Sequence, residues 1–209
     1  MIKAVVFDMD GVLIDAKEWH YDALNRALKL FGVEISRADH LTTFDGLPTR
    51  RKLEMLTVTD GLPRELHGFI NELKQQYTME IVNARCKPMF VHEYALARLH
   101  QRGLKLAVAS NSVRNSVVSM MSKSGLEKYL DTMLSNEDVS KPKPDPEIYL
   151  EAMRKLGVSP DQTLIVEDNE HGIRAARASG AHVLVVSDVS DVNLGNIDRR
   201  ILEIESEAA

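Results

Sequence analysis

The sequence predicts an α/β fold in which a parallel sheet carries an inserted helical unit. Three observations predict it: short apolar runs, helical patterns between the later runs, and a long stretch near the N-terminus without strand signals. The apolar runs cover residues 3–7, 104–109, 132–134, 163–166 and 182–186. Short continuous runs rich in valine and isoleucine are typical of strands that are buried on both faces, as in a parallel sheet.

Helical patterns separate the later runs. They cover residues 112–123 (or 115–123), 146–156 and 172–179, and glycines at 125, 157 and 180 follow them. Alternation of strands with helices favours right-handed βαβ units and a layered sheet with helices.

The stretch of residues 16–85 predicts a unit of its own. Asp15 and Glu18 have the spacing of a capping pair at a helix start, Thr49 is a predicted cap of a second helix, and Pro63 is the predicted start of a third. We assign residues 1–15 and 86–209 to a Rossmann-like core and residues 16–85 to an inserted all-helical cap domain. The alternative is that these helices pack directly onto the sheet.

The composition excludes several classes of function. The net charge of −5 provides no sequence-wide basic surface for nucleic acid. No apolar stretch approaches the roughly 20 residues that cross a bilayer, and the run before Asp8 is too short for a signal peptide. The single cysteine, Cys86, cannot form an internal disulfide and fits a reducing compartment. We therefore expect a cytoplasmic protein that binds neither nucleic acid nor membrane.

Four carboxylates follow predicted strands. Asp8 and Asp10 come directly after the first run, and Glu167 and Asp168 close the fourth. Ligands bind at strand ends in α/β sheets, although Asp and Gly are also common in turns. A calcium loop does not fit, because Gly11 comes too early and no glutamate closes the loop. Four carboxylates in a small volume call for a hard divalent cation, and phosphate chemistry favours Mg²⁺.

Two further segments suit a phosphoryl group. Ser110 and Asn111 follow the second run, where a hydroxyl and backbone N–H groups at a helix start suit phosphate oxygens; by itself, such a segment is more often a helix cap. Lys141 lies between prolines that stiffen its segment. A fixed cation can balance charge on a phosphorus in the transition state, whereas an isolated lysine–proline pair would more often be a solvated loop.

Together, these motifs resemble the haloacid dehalogenase superfamily. The motifs are Asp-Met-Asp-Gly-Val, the helical insert after it, Lys-Pro-x-Pro-Asp and Glu-Asp-x-x-x-Gly-Ile, and they resemble the subgroup of beta-phosphoglucomutase and small sugar-phosphate phosphatases. The resemblance implies that Asp8 attacks phosphorus and becomes an aspartyl phosphate. Asp10 then protonates the leaving oxygen and later takes a proton from water. The implied Mg²⁺ ligands are Asp8, the Asp10 backbone carbonyl and Asp168, with Glu167 as a further ligand or outer neighbour.

The same resemblance implies that Ser110, Asn111 and Lys141 bind the transferring phosphoryl group. It also implies the strand order 5-4-1-2-3, with the first strand at the centre and the motifs beside it.

The predicted cap offers several side chains for substrate contact. The family places a basic residue after a glycine between cap helices, and His20 resembles a histidine on its first cap helix. The candidates are His20, Arg50, Arg51, Lys52 and Lys74, of which we assign His20 and Arg50 to substrate binding. The alternative for His20 is an exposed helix residue, and we expect at least two of residues 50–52 to be only a solvated face.

The residues, together with what the resemblance implies, predict a monomeric, magnesium-dependent phosphatase whose substrate is a small phosphorylated metabolite, such as a sugar phosphate. A sugar phosphomutase is the alternative. The mutases of this family use a hydroxyl after the hinge aspartate to restrain the acid/base, and Ala16 lacks one. A protein that only binds phosphorylated ligands fits less well, because every catalytic position is filled. A dehalogenase would need neither Asp10 nor a metal.

Overall fold

The computed structural model describes residues 1–44 and 46–207, and the chain divides into two compact units. The first, the sheet unit, consists of Met1–Asp15 and the chain from Lys87 onward. The second, the helical unit, is Ala16–Cys86. The sequence predicts boundaries after residues 15 and 85, and the structure has them after residues 15 and 86.

The elements alternate in the sheet unit and are helical between residues 16 and 86. The strands are β1 (Ala4–Phe7), β2 (Lys105–Ala109), β3 (Thr132–Leu134), β4 (Thr163–Glu167) and β5 (His182–Val185). The α-helices are α1 (Lys17–Leu28), α2 (Arg37–Asp39), α3 (Thr49–Asp60), α4 (His67–Arg85), α5 (Phe90–Gln101), α6 (Arg114–Lys123), α7 (Glu147–Leu156), α8 (Glu170–Ala178) and α9 (Leu194–Glu207).

The five strands form one parallel sheet in the order β3-β2-β1-β4-β5. Read from the other edge, this is the predicted order 5-4-1-2-3, so the predicted fold class is confirmed. All four residues of β1 are buried, because β1 has a strand on each side and helices pack on the sheet. Burial on both faces explains why its sequence is apolar at every position rather than at alternate ones.

Helix α7 packs against the sheet through one apolar stripe. The cluster consists of Ala4, Val6, Ala107, Ala109, Leu134, Ile148, Tyr149, Ala152, Leu156, Ile165, Ala175 and Ala176. Its α7 members recur at helical spacing, which is the pattern of a helix with one buried face. Tyr149 is the largest fully buried side chain among the described residues.

Two helices of the sheet unit, α5 and α9, lie outside the sequence prediction. Helix α5 buries Ala95, Leu96 and Leu99, and α9 buries Ile197 and Ile204. In α9 the buried pair is spaced by seven residues within a strongly charged segment. That spacing is typical of a helix, but the charged residues between the two isoleucines make the apolar periodicity hard to recognise in the sequence.

The helical unit has its own core between α1, α3 and α4. Its buried residues are Leu24, Ala27, Leu28, Ile35, Phe44, Leu53, Leu56, Leu62 and Ile70. Helix α1 supplies three of them, Leu24, Ala27 and Leu28. No helix in the described ranges combines the length and apolarity that crossing a membrane requires.

The predicted helix starts in this unit need correction. Ala16 precedes α1, and its methyl side chain cannot accept a capping hydrogen bond. Glu18, the other half of the predicted capping pair, accepts hydrogen bonds of 2.7 and 2.9 Å from Arg37 instead. Thr49 is the first residue of α3 rather than its cap, because Pro48 takes the position before the helix. Pro63 precedes a short 3₁₀ turn, Arg64–Leu66, that leads into α4.

Candidate active site

The carboxyl ends of β1, β2 and β4 carry the predicted motifs. Phe7 pairs with Val108 on one side and with Val166 on the other. This register brings Asp8 beside the ends of both neighbours, and its backbone N–H donates to Val166 O over 3.0 Å. Since parallel strands end at the same edge of the sheet, residues far apart in sequence meet there.

Three carboxylates form a compact cluster at this edge. Carboxylate oxygens of Asp8, Glu167 and Asp168 all lie within 4.8 Å of one another. Asp8 is only 5% exposed and Glu167 is fully buried. Oxygen ligands are those that Mg²⁺ prefers, and buried like charges at this spacing need a compensating cation. The donor set therefore fits a hard divalent cation.

Lys143 supplies a cation from the protein itself. Its Nζ donates to Asp8 Oδ1 over 2.7 Å and to Glu167 Oε1 over 2.8 Å, and the residue is 4% exposed. The sequence predicts Lys141 for this place, but in the structure it is Lys143 that contacts Asp8 and Glu167. The Lys141 side chain is 74% exposed and its Nζ lies 3.9 Å from Asp145.

Asn111 explains which lysine enters the site. Its Oδ1 accepts from the backbone N–H of Lys143 over 3.0 Å, and its Nδ2 donates to Lys143 O over 3.3 Å. The Lys143–Pro144 peptide bond is cis. The backbone N–H of Lys141 instead donates to Glu147 over 2.9 Å. Asn111, predicted to bind phosphate, thus has its side-chain amide engaged in holding the Lys143 backbone.

Asp10 and Ser110 are joined through Ser112. Ser112 Oγ donates to Asp10 Oδ2 over 2.8 Å, and the Ser112 backbone N–H donates to Ser110 Oγ over 3.0 Å. Ser110 is buried at the end of β2. In the sequence Ser112 is only one possible start of the helix predicted to end at residue 123, yet its hydroxyl is a direct partner of the predicted acid/base.

The ionisation of the cluster reflects its burial. Burial raises the pKa of the Asp8 carboxyl well above its ordinary value; Lys143 opposes this shift, while Glu167 and Asp168 add to it. Burial alone would lower the pKa of Lys143, but the Asp8 and Glu167 carboxylates outweigh it and the pKa is raised. Lys143 is therefore a permanent cation at neutral pH. A divalent cation beside Asp8 would favour its ionised form.

Glu167 is held by several donors, and one close glycine makes room for it. Tyr149 Oη donates to Glu167 Oε1 over 2.5 Å, and the backbone N–H of Asp168 donates to Oε2 over 3.0 Å. A Cβ at Gly172, on α8, would overlap the Glu167 carboxylate. The glycine of the Glu-Asp-x-x-x-Gly motif therefore leaves space for the glutamate of the same motif.

The candidates in the helical unit fall into two groups. Arg50 and Arg51 are exposed and both pair with Glu54, at 3.5 and 3.2 Å. Lys52 and Lys74 are buried, and Lys74 Nζ lies 3.2 Å from His20 Nδ1. The assignment of His20 and Arg50 to substrate remains a prediction, and the buried lysines join them as candidates.

The haloacid dehalogenase-like hydrolase model matches residues 5–186 of the chain. The chain belongs to this family. The resemblance predicted from the motifs is thereby confirmed. The matched range contains every residue of the carboxylate cluster, Lys143 and the whole helical unit.

Related haloacid dehalogenase-like proteins are named as phosphatases. One is a phosphorylated carbohydrates phosphatase of Thermotoga maritima, 31% identical over 182 residues that make up 86% of this chain and 82% of that protein. Another is a phosphoglycolate phosphatase of Aquifex aeolicus, 29% identical over 86% of this chain and 82% of that protein.

Among solved structures, a beta-phosphoglucomutase from Clostridium difficile has the same fold. It superposes with a TM-score of 0.85 at 21% identity, covering 97% of this chain and 98% of that one. At this identity the likeness concerns the fold, which phosphatases and mutases share.

Proposed function

We propose that this protein is a magnesium-dependent phosphatase that hydrolyses small phosphorylated metabolites through an aspartyl phosphate on Asp8. The observation that carries the proposal is the environment of Asp8. Its buried carboxylate ends the central strand, accepts from Lys143 over 2.7 Å and lies within 4.8 Å of Glu167 and Asp168. A carboxylate nucleophile divides hydrolysis into two easier displacements.

In the first displacement, an Asp8 oxygen forms a bond to phosphorus while the bond to the leaving oxygen breaks. Asp10 gives its proton to that leaving oxygen. In the second, water attacks the phosphorus of the aspartyl phosphate and Asp10 accepts a proton from it. The Asp8–phosphorus bond breaks, which releases inorganic phosphate and restores the Asp8 carboxylate. Proton transfer by a positioned group contributes about 10²–10⁴-fold to such reactions.

Lys143, Ser110 and Asn111 support the transferring group in this proposal. Lys143 keeps a positive charge beside Asp8, where charge on the phosphoryl oxygens develops. Ser110 is the hydroxyl at the end of β2, and Asn111 acts through the backbone of Lys143. The catalytic lysine is therefore Lys143, which takes the role that the sequence gives to Lys141.

Asp8, Asp168 and Glu167 would hold Mg²⁺, with the Asp10 backbone carbonyl as the further predicted ligand. Three carboxylates against one lysine leave an excess of negative charge at the cluster. When bound, Mg²⁺ would neutralise this charge and polarise the phosphoryl oxygens. Because Lys143 and Tyr149 already occupy Glu167 Oε1, we assign Glu167 to orienting its neighbours more than to direct ligation.

A sugar phosphomutase is the second candidate, and Ser112 favours keeping it. The mutases that this chain resembles restrain the acid/base with a hydroxyl that Ala16 lacks. Here Ser112 Oγ donates to Asp10 Oδ2 over 2.8 Å and can restrain it instead. The absence of a hydroxyl at Ala16 therefore does not by itself exclude a phosphomutase. A direct measurement of both products separates the two reactions.

The substrate class is a small phosphorylated metabolite, such as a phosphorylated carbohydrate. The names of the relatives support this choice, and we propose that substrate identity is recognised by the helical unit through His20, Arg50 or the buried lysines. A monomer in the cytoplasm, with no nucleic-acid or membrane partner, remains our expectation.

The test is a panel of sugar phosphates and other small phosphate monoesters, with purified protein and Mg²⁺. We expect phosphate release from at least one carbohydrate phosphate, with isomerised sugar accumulating more slowly. Asp8→Asn should lower turnover more than a thousandfold, about 4 kcal/mol in barrier, because an amide is not a nucleophile. Both rates are measured with and without a bisphosphate activator. Isomerisation about tenfold faster than phosphate release would show that the protein is a mutase and not a phosphatase. Turnover by Asp8→Asn near the wild-type rate would show that another residue is the nucleophile.

A further inference from the structure

Tyr149 is a buried polar group that the proposed reaction does not use. It lies on α7, within the cluster that packs against the sheet, and it is fully buried. A buried phenol is satisfied only if its hydroxyl finds a partner. Its partner is Glu167 Oε1, at 2.5 Å. The hydroxyl of a core residue thus reaches the carboxylate cluster.

Glu167 Oε1 receives two donors from different parts of the chain. Lys143 Nζ donates to it over 2.8 Å, and the same Nζ donates to Asp8 Oδ1 over 2.7 Å. Lys143 is therefore shared between two carboxylates, and each competes for it. The hydroxyl of Tyr149 supplies Glu167 with a second hydrogen bond, so Glu167 depends less on Lys143. Lys143 can then also remain bonded to Asp8.

The ring of Tyr149 also faces Lys143. Nζ lies 4.7 Å from the ring centroid, a distance at which an aromatic face attracts a cation. Tyr149 consequently contacts both members of the Lys143–Glu167 pair, one through its ring and the other through its hydroxyl. The two contributions can be separated, because phenylalanine retains the ring and removes only the hydroxyl.

Glu167 transmits its position to the neighbouring carboxylate. The backbone N–H of Asp168 donates to Glu167 Oε2 over 3.0 Å, so a turned Glu167 would also displace Asp168. Partners outside the ligand set that orient metal-binding carboxylates commonly change affinity by 10–100-fold when they are removed.

We propose that Tyr149 is a positioning residue whose hydroxyl fixes Glu167, and through it Lys143 and Asp168, in the geometry that binds the cation and keeps Lys143 on Asp8. The inference rests on the proposed metal-dependent function.

The chain offers a matched control at its surface. Glu93 Oε1 accepts from Lys128 over 2.7 Å and from Tyr129 over 3.5 Å. This is the same set of three residue types around one carboxylate oxygen, but partly exposed and outside the carboxylate cluster. Tyr129→Phe therefore removes the same atom from a similar group that has no part in the site.

The experiment compares wild type, Tyr149→Phe and Tyr129→Phe. The Mg²⁺ dissociation constant is measured by calorimetry on substrate-free protein, and kcat and KM are measured at saturating Mg²⁺ on a substrate from the panel. For Tyr149→Phe we expect the dissociation constant to rise about tenfold and kcat to fall by a similar factor, with KM changed less than twofold. Tyr129→Phe should match wild type in all three quantities.

Three results would overturn the assignment. The first is an unchanged Mg²⁺ affinity and kcat in Tyr149→Phe. The second is an equal effect of both substitutions. The third is a Tyr149→Phe protein that does not fold, since the hydroxyl would then hold the core and not the site. If wild type itself bound no Mg²⁺ or released no phosphate, the proposed function would fail instead, and calorimetry and turnover distinguish the two cases.

Discussion

Lys141 and Lys143, separated by one proline, have opposite environments. Lys143 is buried between Asp8 and Glu167, whereas Lys141 is exposed beside Asp145. The difference arises from their backbone partners: Asn111, 32 residues away, binds the Lys143 backbone, whereas Glu147, six residues away, binds the Lys141 backbone. At the scale of one residue, this pair provides a direct test of the site.

We expect Lys143→Met to lower kcat by about a hundredfold to a thousandfold, the usual cost of losing one charge-stabilising donor. Lys141→Met should change kcat less than about twofold, because the Lys141 side chain is exposed beside Asp145 and its charge is not held at the carboxylate cluster. Methionine has a similar length in both cases. Phosphate release is the measurement, and circular dichroism checks that both variants fold. Equal losses in the two variants would contradict the assignment of Lys143.

In the local sequence, candidate site residues can be recognised where they follow a strand, but not where a side chain reaches the site from another part of the chain. Asp8, Ser110, Glu167 and Asp168 follow apolar strands, and their meeting at one edge follows from parallel pairing. Lys143 could not be chosen over Lys141, because both precede a proline and only Asn111 distinguishes them. Tyr149 has the signal of an ordinary core position in α7, and its hydroxyl bond to Glu167 depends on packing.

Among the elements, α8 begins next to the carboxylate cluster. Gly172 lies in its first turn, and a methyl group there would overlap Glu167. The N-terminus of this helix can therefore lie directly against a buried carboxylate only with glycine at that position.

Gly172→Ala should raise the Mg²⁺ dissociation constant by about 10–100-fold, because Glu167 must move. It should also cost about 1–3 kcal/mol of unfolding free energy, the usual effect of overpacking. Gly68→Ala on α4 is the control, since the added methyl group meets nothing within 4 Å. In the control we expect unchanged Mg²⁺ binding and a stability gain of up to about 1 kcal/mol. Calorimetry and urea unfolding measure both effects, and tight Mg²⁺ binding by Gly172→Ala would count against the steric account.

A second element-scale prediction concerns the turn that follows β3. Ser135 and Asp138 form a capping box around the short 3₁₀ helix Asn136–Asp138. Partial burial would raise the pKa of Asp138, but hydrogen bonds from Ser135 and Arg114 outweigh it and lower the pKa to about 2. Because the folded pKa is lowered, the contribution of Asp138 is complete above its unfolded value of 3.8 and is lost as the pH falls toward 2.

We therefore expect Asp138→Asn to reduce the unfolding free energy by about 1 kcal/mol at pH 7 and by progressively less between pH 4 and pH 2. The same exchange at the exposed Asp22 should cost less than about 0.5 kcal/mol at any pH. Urea unfolding at several pH values provides the comparison. If Asp138→Asn lowered the unfolding free energy by the same amount down to the lowest pH, the negative charge of Asp138 would not be what stabilises the capping box.

For the whole molecule, the sequence predicts the five strands, because buried parallel strands have continuous apolar runs, whereas their order follows only from the family resemblance. It misses α5, whose buried stripe includes His92, and α9, whose two buried isoleucines are surrounded by charge. The wrong helix caps at Asp15 and Thr49 have a different origin. The local spacing permits a cap at each residue, but in the structure Ala16 and Pro48 take the positions before the two helices.

The proposed Mg²⁺ site should also be detectable in the stability of the protein. A cation that binds only the folded state adds about 2.7 kcal/mol at a hundredfold excess over its dissociation constant, or roughly 5–10 °C in Tm. Wild type should show this rise between chelator and saturating Mg²⁺, and Asp168→Asn should lose most of it. Calorimetric melting measures the shift. A wild-type Tm that Mg²⁺ does not change would argue against a cation at these carboxylates.

The central position of β1 has a consequence for synthesis on the ribosome. The strand is complete at Phe7, but its two neighbours begin only at Lys105 and Thr163. At about 5–20 residues per second, the nascent apolar segment waits on the order of 10 s for its second neighbour. The helical unit is contiguous and is finished first, so it can fold while the strand still lacks its sheet. Nascent chains that stop before residue 163 should accordingly recruit chaperones that bind exposed apolar segments.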